Sequence, residues 1–359
     1  MDDKPHIPSN IRIVDIARLA GVSVATVDRV IHHRGKVSAA NLARINEVLR
    51  EVDYRPNLLA RSLASGRQKR LWVVTPEFSE GDYWADVEQG VQRAAAEAER
   101  YNFELRECRF DQYDRASFGE VVATLRTGEV DGAVIATLFA EQVVPLTREL
   151  DARGIPYVFV DSDIPECNRL AYFGTASADA GAVAARLLTD RMVADADILV
   201  GSVVHAGDGG SNQCRYREQG FRDYLAATGF RGRLLDVRLR IRDEEYNRQQ
   251  LDALFDENPR IAGAVTFNST CHLLGSYLAA SGRRDVRLVG YDIIPRNEEM
   301  LRRGVVTALI AQRPEAQGYY AVRALYEHLT GVSQTEKVNN MPIDILIREN
   351  IGYYRTNIY

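Results

Sequence analysis

From Leu71 onward, short apolar runs rich in β-branched residues alternate with longer amphipathic segments. The runs LWVVTP, DGAVIAT and IPYVFVD are separated by helix patterns such as 84–101 and 139–153, and the alternation resumes with ADILVGSVV, AGAVTFN and VRLVGYD. Strands that alternate with helices form parallel sheets, because each helix returns the chain to the end where the next strand begins. The pattern therefore predicts an α/β fold with parallel sheets covered by helices on both faces.

The two halves of this region share a spacing. Gly132 precedes Asp161 by 29 positions, and Gly263 precedes Asp292 by 29 positions. Each aspartate follows an apolar run and is soon followed by a proline. This favours two similar lobes. Ligands bind beyond the carboxyl ends of parallel strands, so both aspartates are expected to line a cleft between the lobes.

Polar residues at strand ends and aromatic residues in the following turns are the candidate lining of this cleft. Carboxylates, amides and an arginine can hydrogen-bond a ring of hydroxyls, and aromatic faces pack against the C–H surface of a sugar. An aspartate at a strand end can instead cap the next helix, which remains the alternative for Asp161 and Asp292. Tyr83 and Trp84 are adjacent, so only one of them is expected to face the cleft. The candidates are Phe78, Tyr83, Trp84, Asp161, Phe173, Asn212, Arg217, Asn268, Asp292 and Gln312.

Charge is divided unevenly along the chain. The formal net charge is -5, yet residues 1–70 carry 13 Lys and Arg against 7 Asp and Glu, whereas the remainder carries 32 against 43. A basic N-terminal segment on an acidic body indicates that the segment contacts a polyanion and that the body does not.

Within this basic segment, the apolar spacing predicts three short helices. Gly21 ends the first, Ser23 is a good N-cap for a second at about 24–31, and Ser38 caps a third that runs to about Val52. Leu42, Ile45, Val48 and Leu49 are the predicted apolar face of the third helix. A small helical bundle could show the same pattern. The order of helix, glycine turn, short helix and supporting helix is nevertheless that of a helix-turn-helix unit, whose second helix enters the major groove.

The stretch VDIARLAGVSVATVDRVIHHRGKVS, followed by DYRPNLLARSLAS, strongly resembles the lactose-repressor/galactose-repressor (LacI/GalR) family of bacterial transcription regulators. The resemblance implies a sequence-specific regulator, a repressor, whose DNA-binding domain is followed by a two-lobed periplasmic-binding-protein-like (type I) body. The implied domains are a helix-turn-helix domain at 1–56, a hinge helix and linker at 57–70, an N-terminal lobe at 71–176 and 313–340, and a C-terminal lobe at 177–312 and 341–359.

The resemblance also implies which residues touch DNA. Val24, Ala25 and Arg29 would read base edges, and Leu63 would wedge between base pairs of the minor groove and bend the duplex. Asp28 and His32 depart from the commonest residues of the family, which leaves the operator sequence open. The other implied contacts, mainly to phosphate or through the hinge helix, are Ser23, Thr26, Ser38, Tyr54, Asn57 and Ala60.

In the body, the resemblance implies a small-molecule effector between the lobes, and a sugar or sugar derivative is the first expectation. A nucleoside or purine is the alternative. The implied partner is a pseudo-palindromic, double-stranded operator bound by a homodimer. By position, the implied effector contacts are Asp161, Arg217, Asn268, Asp292 and Gln312.

Sequence motifs of enzymes are absent. The chain contains no GxSxG, GxxxxGK[ST] or HExxH motif and no GxGxxG after the first strand, and its four cysteines form no CxxC pair. We expect no catalysis, no cofactor and no metal, although Asp161 and Asp163 leave a sugar-processing enzyme as a distant alternative. No apolar run approaches the roughly 18–20 residues that span a bilayer, and the N-terminus lacks a signal-peptide core. A cytoplasmic, nucleoid-associated protein without a membrane partner is therefore expected.

Overall fold

The computed structural model describes residues 12–31, 35–52, 67–203, 211–331 and 335–354. These residues belong to two compact units. One comprises residues 1–66 with 327–334, and the other comprises residues 67–326 with 335–359. Within the described stretches, every helix is too short or too polar to cross a lipid bilayer.

The described residues between 12 and 52 form three short helices of the first unit: α1 (Ile13–Ala20), α2 (Val24–Ile31) and α3 (Ala39–Glu51). Helix α1 ends at Gly21, which adopts a left-handed conformation with φ 62°. The turn then places Ser23 as predicted, since its Oγ accepts a hydrogen bond from the Thr26 amide at 3.2 Å. Ser38 Oγ likewise accepts from the Asn41 amide at 3.4 Å. Both capping predictions are confirmed.

The core of this unit is built from the apolar stripes of all three helices. Ile16, Val27, Ile45 and Val48 are buried. The prediction for Leu42 is wrong, because its side chain is 41% exposed. The buried stripe of α3 therefore begins one turn later than the sequence pattern suggested, since the three helices converge on Ile45 and Val48.

The second unit contains two six-stranded sheets. The first sheet has the spatial order β11-β5-β4-β3-β1-β2, and all its strand pairs are parallel. Its strands are β1 (Lys69–Pro76), β2 (Phe103–Phe110), β3 (Gly132–Ala136), β4 (Tyr157–Asp161), β5 (Ala171–Gly174) and β11 (Val338–Asn340). Its helices are α4 (Tyr83–Glu99), α5 (Arg115–Thr127), α6 (Ala140–Ala152) and α12 (Pro314–Thr330).

The second sheet has the spatial order β12-β10-β9-β8-β6-β7, and only the pair of β10 with β12 is antiparallel among its described strands. Its strands are β6 (Asp197–Val203), β7 (Leu234–Leu239), β8 (Ile261–Thr266), β9 (Arg287–Tyr291), β10 (Ala308–Ala311) and β12 (Asp344–Leu346). Its helices are α7 (Ser177–Thr189), α8 (Asn212–Ala227), α9 (Glu244–Glu257), α10 (Cys271–Ala280), α11 (Pro295–Arg302) and α13 (Ile351–Tyr354). The predicted parallel sheets with covering helices are confirmed.

Each sheet with its helices forms one lobe, and the chain passes between the lobes three times. It crosses from β5 to α7, returns from β10 to α12, and crosses again from β11 to β12. The strand order of the two sheets is the same in outline, with the first strand of each lobe next to the second and third. The carboxyl ends of β4 and β9 therefore occupy equivalent places in the two lobes.

Helices α7 and α8 of the second lobe pack at backbone distance. A Cβ atom on Gly181 would lie 1.9 Å from the carbonyl oxygen of Arg217, and a Cβ on Gly220 would lie 1.9 Å from that of Ala178. No side chain fits at either distance, so this approach requires glycine on both helices. The contact fixes the turn of α8 that carries Arg217.

Candidate binding cleft and helix-turn-helix surface

Asp161 and Asp292 adopt the same uncommon backbone conformation at the ends of equivalent strands. Their φ angles are 73° and 66°, in the left-handed region that non-glycine residues rarely occupy. Both side chains are buried. Neither carboxylate caps a helix among the described residues, because both accept hydrogen bonds from side chains instead. Strained, buried acids of this kind are typical of binding sites.

Two glutamine side chains connect these aspartates. Gln213 Nε2 donates to Asp161 Oδ1 at 2.7 Å and to Gln312 Oε1 at 3.0 Å. Gln312 Nε2 in turn donates to Asp292 Oδ1 at 2.8 Å. Ser269 Oγ donates to the second oxygen of Asp292 at 2.7 Å. Since Asp161 belongs to the first lobe and Gln213 and Asp292 to the second, this chain of bonds joins the two lobes.

Gln317 on α12 organises the first-lobe side of the cleft. Its Oε1 accepts from the backbone amide of Asp161 and from the Tyr83 hydroxyl, each at 3.2 Å. Its Nε2 donates to the carbonyl of Gln312 at 2.7 Å. The Tyr172 hydroxyl also donates to the Asp161 carbonyl, at 3.2 Å. These bonds hold the left-handed turn at Asp161 in place.

Asn297 has the corresponding role in the second lobe. It is fully buried in the first turn of α11. Its Nδ2 donates to the carbonyls of Ser269, Tyr291 and Asp292 at 3.0, 2.9 and 3.2 Å. Its Oδ1 accepts from the His272 amide at 3.0 Å. One side chain thus ties together the loops that follow β8 and β9.

Arg217 on α8 presents unused hydrogen-bond donors inside the cleft. Its side chain is 1% exposed, and its guanidinium lies 4.1 Å from the centre of the Tyr291 ring. Nη1 donates to the Phe267 carbonyl at 2.9 Å. Nε and Nη2 have no hydrogen-bond partner among the residues that the structure describes. Leaving buried guanidinium donors unsatisfied is costly, which makes Arg217 a candidate binding group.

The electrostatics of the cleft follow from two acids and one base out of contact with water. Burial raises the pKa of Asp161 to about 6, against the attraction of Arg217 and with added repulsion from Asp292. Burial also raises the pKa of Asp292, and Arg217 opposes that shift. Burial disfavours the charged form of Arg217, yet the neighbouring carboxylates, first Asp292, raise its pKa overall. Among the described residues, these buried acids therefore outnumber the buried base by one.

The structure brings five of the predicted cleft residues together. Asp161, Asp292 and Gln312 belong to the hydrogen-bonded chain described above, and Arg217 interacts electrostatically with both aspartates. Tyr83 reaches Asp161 through Gln317. Trp84 packs edge-on against Tyr83, with ring centroids 5.1 Å apart. As expected for adjacent residues, only the Tyr83 side chain has a hydrogen bond to this network among the described contacts.

The other predicted cleft residues have different recorded contacts. Phe78, in the loop after β1, lies beneath the Arg109 guanidinium, 4.9 Å from it. Phe173 stacks against Tyr320 of α12, with ring centroids 6.1 Å apart. Asn212 Oδ1 accepts from Arg215. Asn268 Oδ1 accepts from the Thr270 amide at 3.2 Å, at the start of α10. Their role in binding stays a prediction.

Sequence reasoning missed Gln213, Gln317, Asn297, Ser269 and Tyr172. Gln213 precedes Arg217 by four positions, so both lie on one face of α8, and this spacing could have identified it. Tyr172 neighbours Phe173 on β5. Because adjacent residues of a strand point to opposite faces of the sheet, choosing Phe173 as the cleft candidate led away from Tyr172. Gln317 and Asn297 lie on helices that reach the cleft only after the chain has folded, so their spacing carries no such signal.

The helix-turn-helix unit presents its predicted reading face outward. Val24 is 45% exposed, and Ala25 and Arg29 are exposed beside it on α2. Ser23 Oγ and Thr26 Oγ1 lie 2.8 Å apart at the start of this helix, and Ser38 is exposed at the start of α3. Tyr54, Asn57, Ala60 and Leu63 lie outside the described residues, as does His32, so the predicted DNA contacts of the first four remain expectations.

Comparison with known proteins agrees with both parts of this architecture. Residues 12–57 match the family of bacterial regulatory proteins called the lacI family, and residues 72–333 match the periplasmic binding protein domain. The chain is also similar to the crystal structure of a protein assigned as a LacI transcriptional regulator from Bacteroides fragilis. The two are 34% identical with a TM-score of 0.75, over 80% of this chain and 100% of the other.

Two further proteins resemble the chain, one in part of its sequence and one in its fold. The HTH-type transcriptional regulator PtxS from Pseudomonas putida is 32% identical over 170 residues, which cover 47% of this chain and 48% of that protein. The chain spans less than half the length of the first curated relatives that it matches. The glucose-galactose binding protein GanP from Geobacillus stearothermophilus shares the fold, with a TM-score of 0.69 and 22% identity over 79% of this chain and 99% of that one.

A helix-turn-helix unit followed by a two-lobed periplasmic-binding-protein-like body defines a class of regulatory proteins. The chain belongs to the LacI family of that class. The resemblance identified from the sequence is thereby confirmed, as is the expectation of a regulatory protein rather than an enzyme.

Proposed function

We propose that this protein is a transcriptional repressor whose binding to operator DNA is controlled by a small polyhydroxylated molecule, a sugar or sugar derivative, bound between the lobes. Two copies related by a two-fold axis would place two α2 helices in successive major grooves of a pseudo-palindromic operator. The protein would act in the cytoplasm, on the nucleoid.

The observation that carries this proposal is the cleft network. Two buried aspartates from opposite lobes accept hydrogen bonds, and the unpartnered Nε and Nη2 of Arg217 supply donors beside them. Hydroxyl groups both donate and accept, so a polyol satisfies carboxylates and a guanidinium at once. The two described aspartates against one arginine disfavour an anionic ligand, because a further negative charge would be buried beside them.

The link to DNA is allosteric in this proposal. An effector that binds both lobes changes their relative position, and so changes how the two DNA-binding units of a dimer are spaced. The coupling free energy between such sites is typically about 1–3 kcal/mol, and it acts equally in both directions. Effector should therefore change operator affinity by the same factor by which operator changes effector affinity.

The direct test starts from selection of duplexes out of a random pool by the full-length protein. Fluorescence anisotropy of the selected duplex would then be followed while sugars, polyols and nucleosides are added in turn. We expect one class of sugar or polyol to change operator affinity about 5–150-fold. Selection of no preferred duplex at moderate salt would contradict the proposal, and a response to nucleosides alone would replace the sugar by the alternative effector.

A further inference from the structure

The side chain of Gln213 occupies the junction of the two lobes. It lies in the first turn of α8 in the second lobe and is 6% exposed. Its Nε2 has three acceptors within reach: Asp161 Oδ1 at 2.7 Å, the Asp161 carbonyl at 3.0 Å and Gln312 Oε1 at 3.0 Å. Both Asp161 contacts cross from the second lobe to the first.

Asp161 requires such a partner. Its carboxylate is buried, and a buried acid without a donor is destabilising. The neighbouring cation, Arg217, donates to the Phe267 carbonyl and has no recorded hydrogen bond to Asp161. Gln213 supplies a hydrogen bond to Asp161 Oδ1 from the second lobe, and Tyr83 hydrogen-bonds the same carboxylate from the first lobe. The carboxamide N–H of Gln213 therefore donates to the same carboxylate oxygen to which a hydroxyl of a bound polyol would donate.

The bond from the Gln213 side chain to Gln312 explains how closure of the lobes is transmitted. Gln312 accepts from Gln213 and donates to Asp292 at 2.8 Å, and its carbonyl accepts from Gln317 at 2.7 Å. Gln312 lies where the chain returns from β10 to α12, so one bond from Gln213 reaches a segment that connects the lobes. The two contacts of Gln213 with Asp161 thus exist only when the lobes are close together.

We propose that Gln213 is an internal substitute for the effector: its carboxamide holds the two lobes together, and an effector that displaces it from Asp161 resets their relative position. The inference rests on the proposed function in one respect, that the effector binds in this cleft. It adds that closure itself does not require the effector. Loss of a hydrogen bond to a carboxylate shifts a two-state equilibrium by about tenfold or more, so removing this bond should raise the open population by that factor.

The test measures the distance between the lobes in the full-length protein without DNA or effector. Spin labels would be attached at Glu141 on α6 and Glu299 on α11, whose side chains are 80% and 62% exposed. A ketone-bearing unnatural side chain avoids the four native cysteines. Dilution with unlabelled protein isolates the distance within one chain. We expect a single short distance for the wild-type protein.

Three variants complete the experiment. Gln213→Ala removes the bond, and Gln213→Glu keeps the size of the side chain but places a second carboxylate against Asp161. Both should move the main distance to longer values. Gln219→Ala is the matched control, because Gln219 is an exposed residue of the same type on the same helix, bonded only to Asp223 among the described contacts. It should retain the wild-type distance.

Two results would overturn the inference. One is a wild-type protein that is already open without ligand, and this measurement needs no variant to fold. The other is a folded Gln213 variant that keeps the short distance. Because neither DNA nor effector is used, a protein that closes as expected but selects no operator would refute only the proposed function.

Discussion

Asp161 and Asp292 are equivalent residues of the two lobes, and the side chains of Gln213 and Gln312 join them into one hydrogen-bonded chain. Both aspartates end their strands with a positive φ, and both are buried. The conformation turns the backbone so that each carboxylate enters the cleft instead of capping the next helix. A ligand that bridges these two residues must therefore contact both lobes, which is the structural requirement for coupling the cleft to distant parts of the protein.

Arg29 should determine operator specificity more than overall DNA affinity. It is exposed on α2, at the position that the family resemblance assigns to reading base edges. Arg29→Ala should cost about 1–3 kcal/mol on the selected operator and much less on random duplex, because a base contact is lost on only one of the two. Anisotropy titrations on both duplexes measure this difference. Arg44→Ala, at an exposed position on α3, is the control. Equal losses on both duplexes would reduce Arg29 to a phosphate contact.

Asp292 should be required for the response to effector but not for DNA binding. Replacement by alanine removes the acceptor of Gln312 and Ser269 and the carboxylate that a ligand hydroxyl would meet. We expect the affinity for the responding sugar to fall about tenfold or more, since hydrogen bonds to charged groups contribute about 1.5–3 kcal/mol. Calorimetric titration measures this affinity. Asp236→Ala, at a side chain that is 69% exposed, should leave it unchanged. An Asp292 variant with normal sugar affinity would exclude the residue from the site.

Asp161 should make the protein less stable as the pH rises from about 4 to about 6. Its pKa is about 6 in the folded protein and 3.8 in the unfolded chain, so the folded state holds the proton longer across this window. Stability falls with rising pH wherever the folded state binds more protons, and it levels off above the folded pKa.

The variant Asp161→Asn isolates this contribution. The difference in stability between the variant and the wild type should be small near pH 4 and should reach at most about 3 kcal/mol in favour of the variant above pH 6.5, from about two pKa units. Thermal melts between pH 4 and pH 8 follow this difference. A difference that does not change with pH would show that Asp161 titrates normally.

Gly181 should be essential for the packing of α7 on α8. A Cβ at this position would lie 1.9 Å from the Arg217 carbonyl, so Gly181→Ala must push the helices apart. Overpacking of this kind typically costs about 1–3 kcal/mol. Gly352→Ala is the matched control, because a Cβ there meets no atom within 4 Å. Chemical denaturation of both variants gives the comparison, and equal stabilities would contradict the close approach.

Much of the fold follows from local sequence patterns. The runs LWVVTP and VRLVGYD predicted β1 and β9 to within two residues, and Ser23 and Ser38 marked the starts of their helices. Such signals succeed because strand and helix periods are properties of a few consecutive residues. Leu42 illustrates their limit. Helical spacing shows which residues share a face, but not how far along the helix the partner helices extend.

The cleft residues also fall into two groups: those that the sequence identifies and those that only the folded structure brings into contact. Asp161 and Asp292 could be found from the chain alone, because a shared 29-residue spacing and a strand end are visible in one dimension. Gln213 is 52 positions from Asp161 and 99 from Gln312, so its bonds depend on how two separately formed lobes meet. The stacking of Phe173 on Tyr320 and the burial of Asn297 depend likewise on packing partners that no local pattern encodes. The local sequence determines which side chains lie at the strand ends, and the packing of the two lobes determines which of these side chains are in contact.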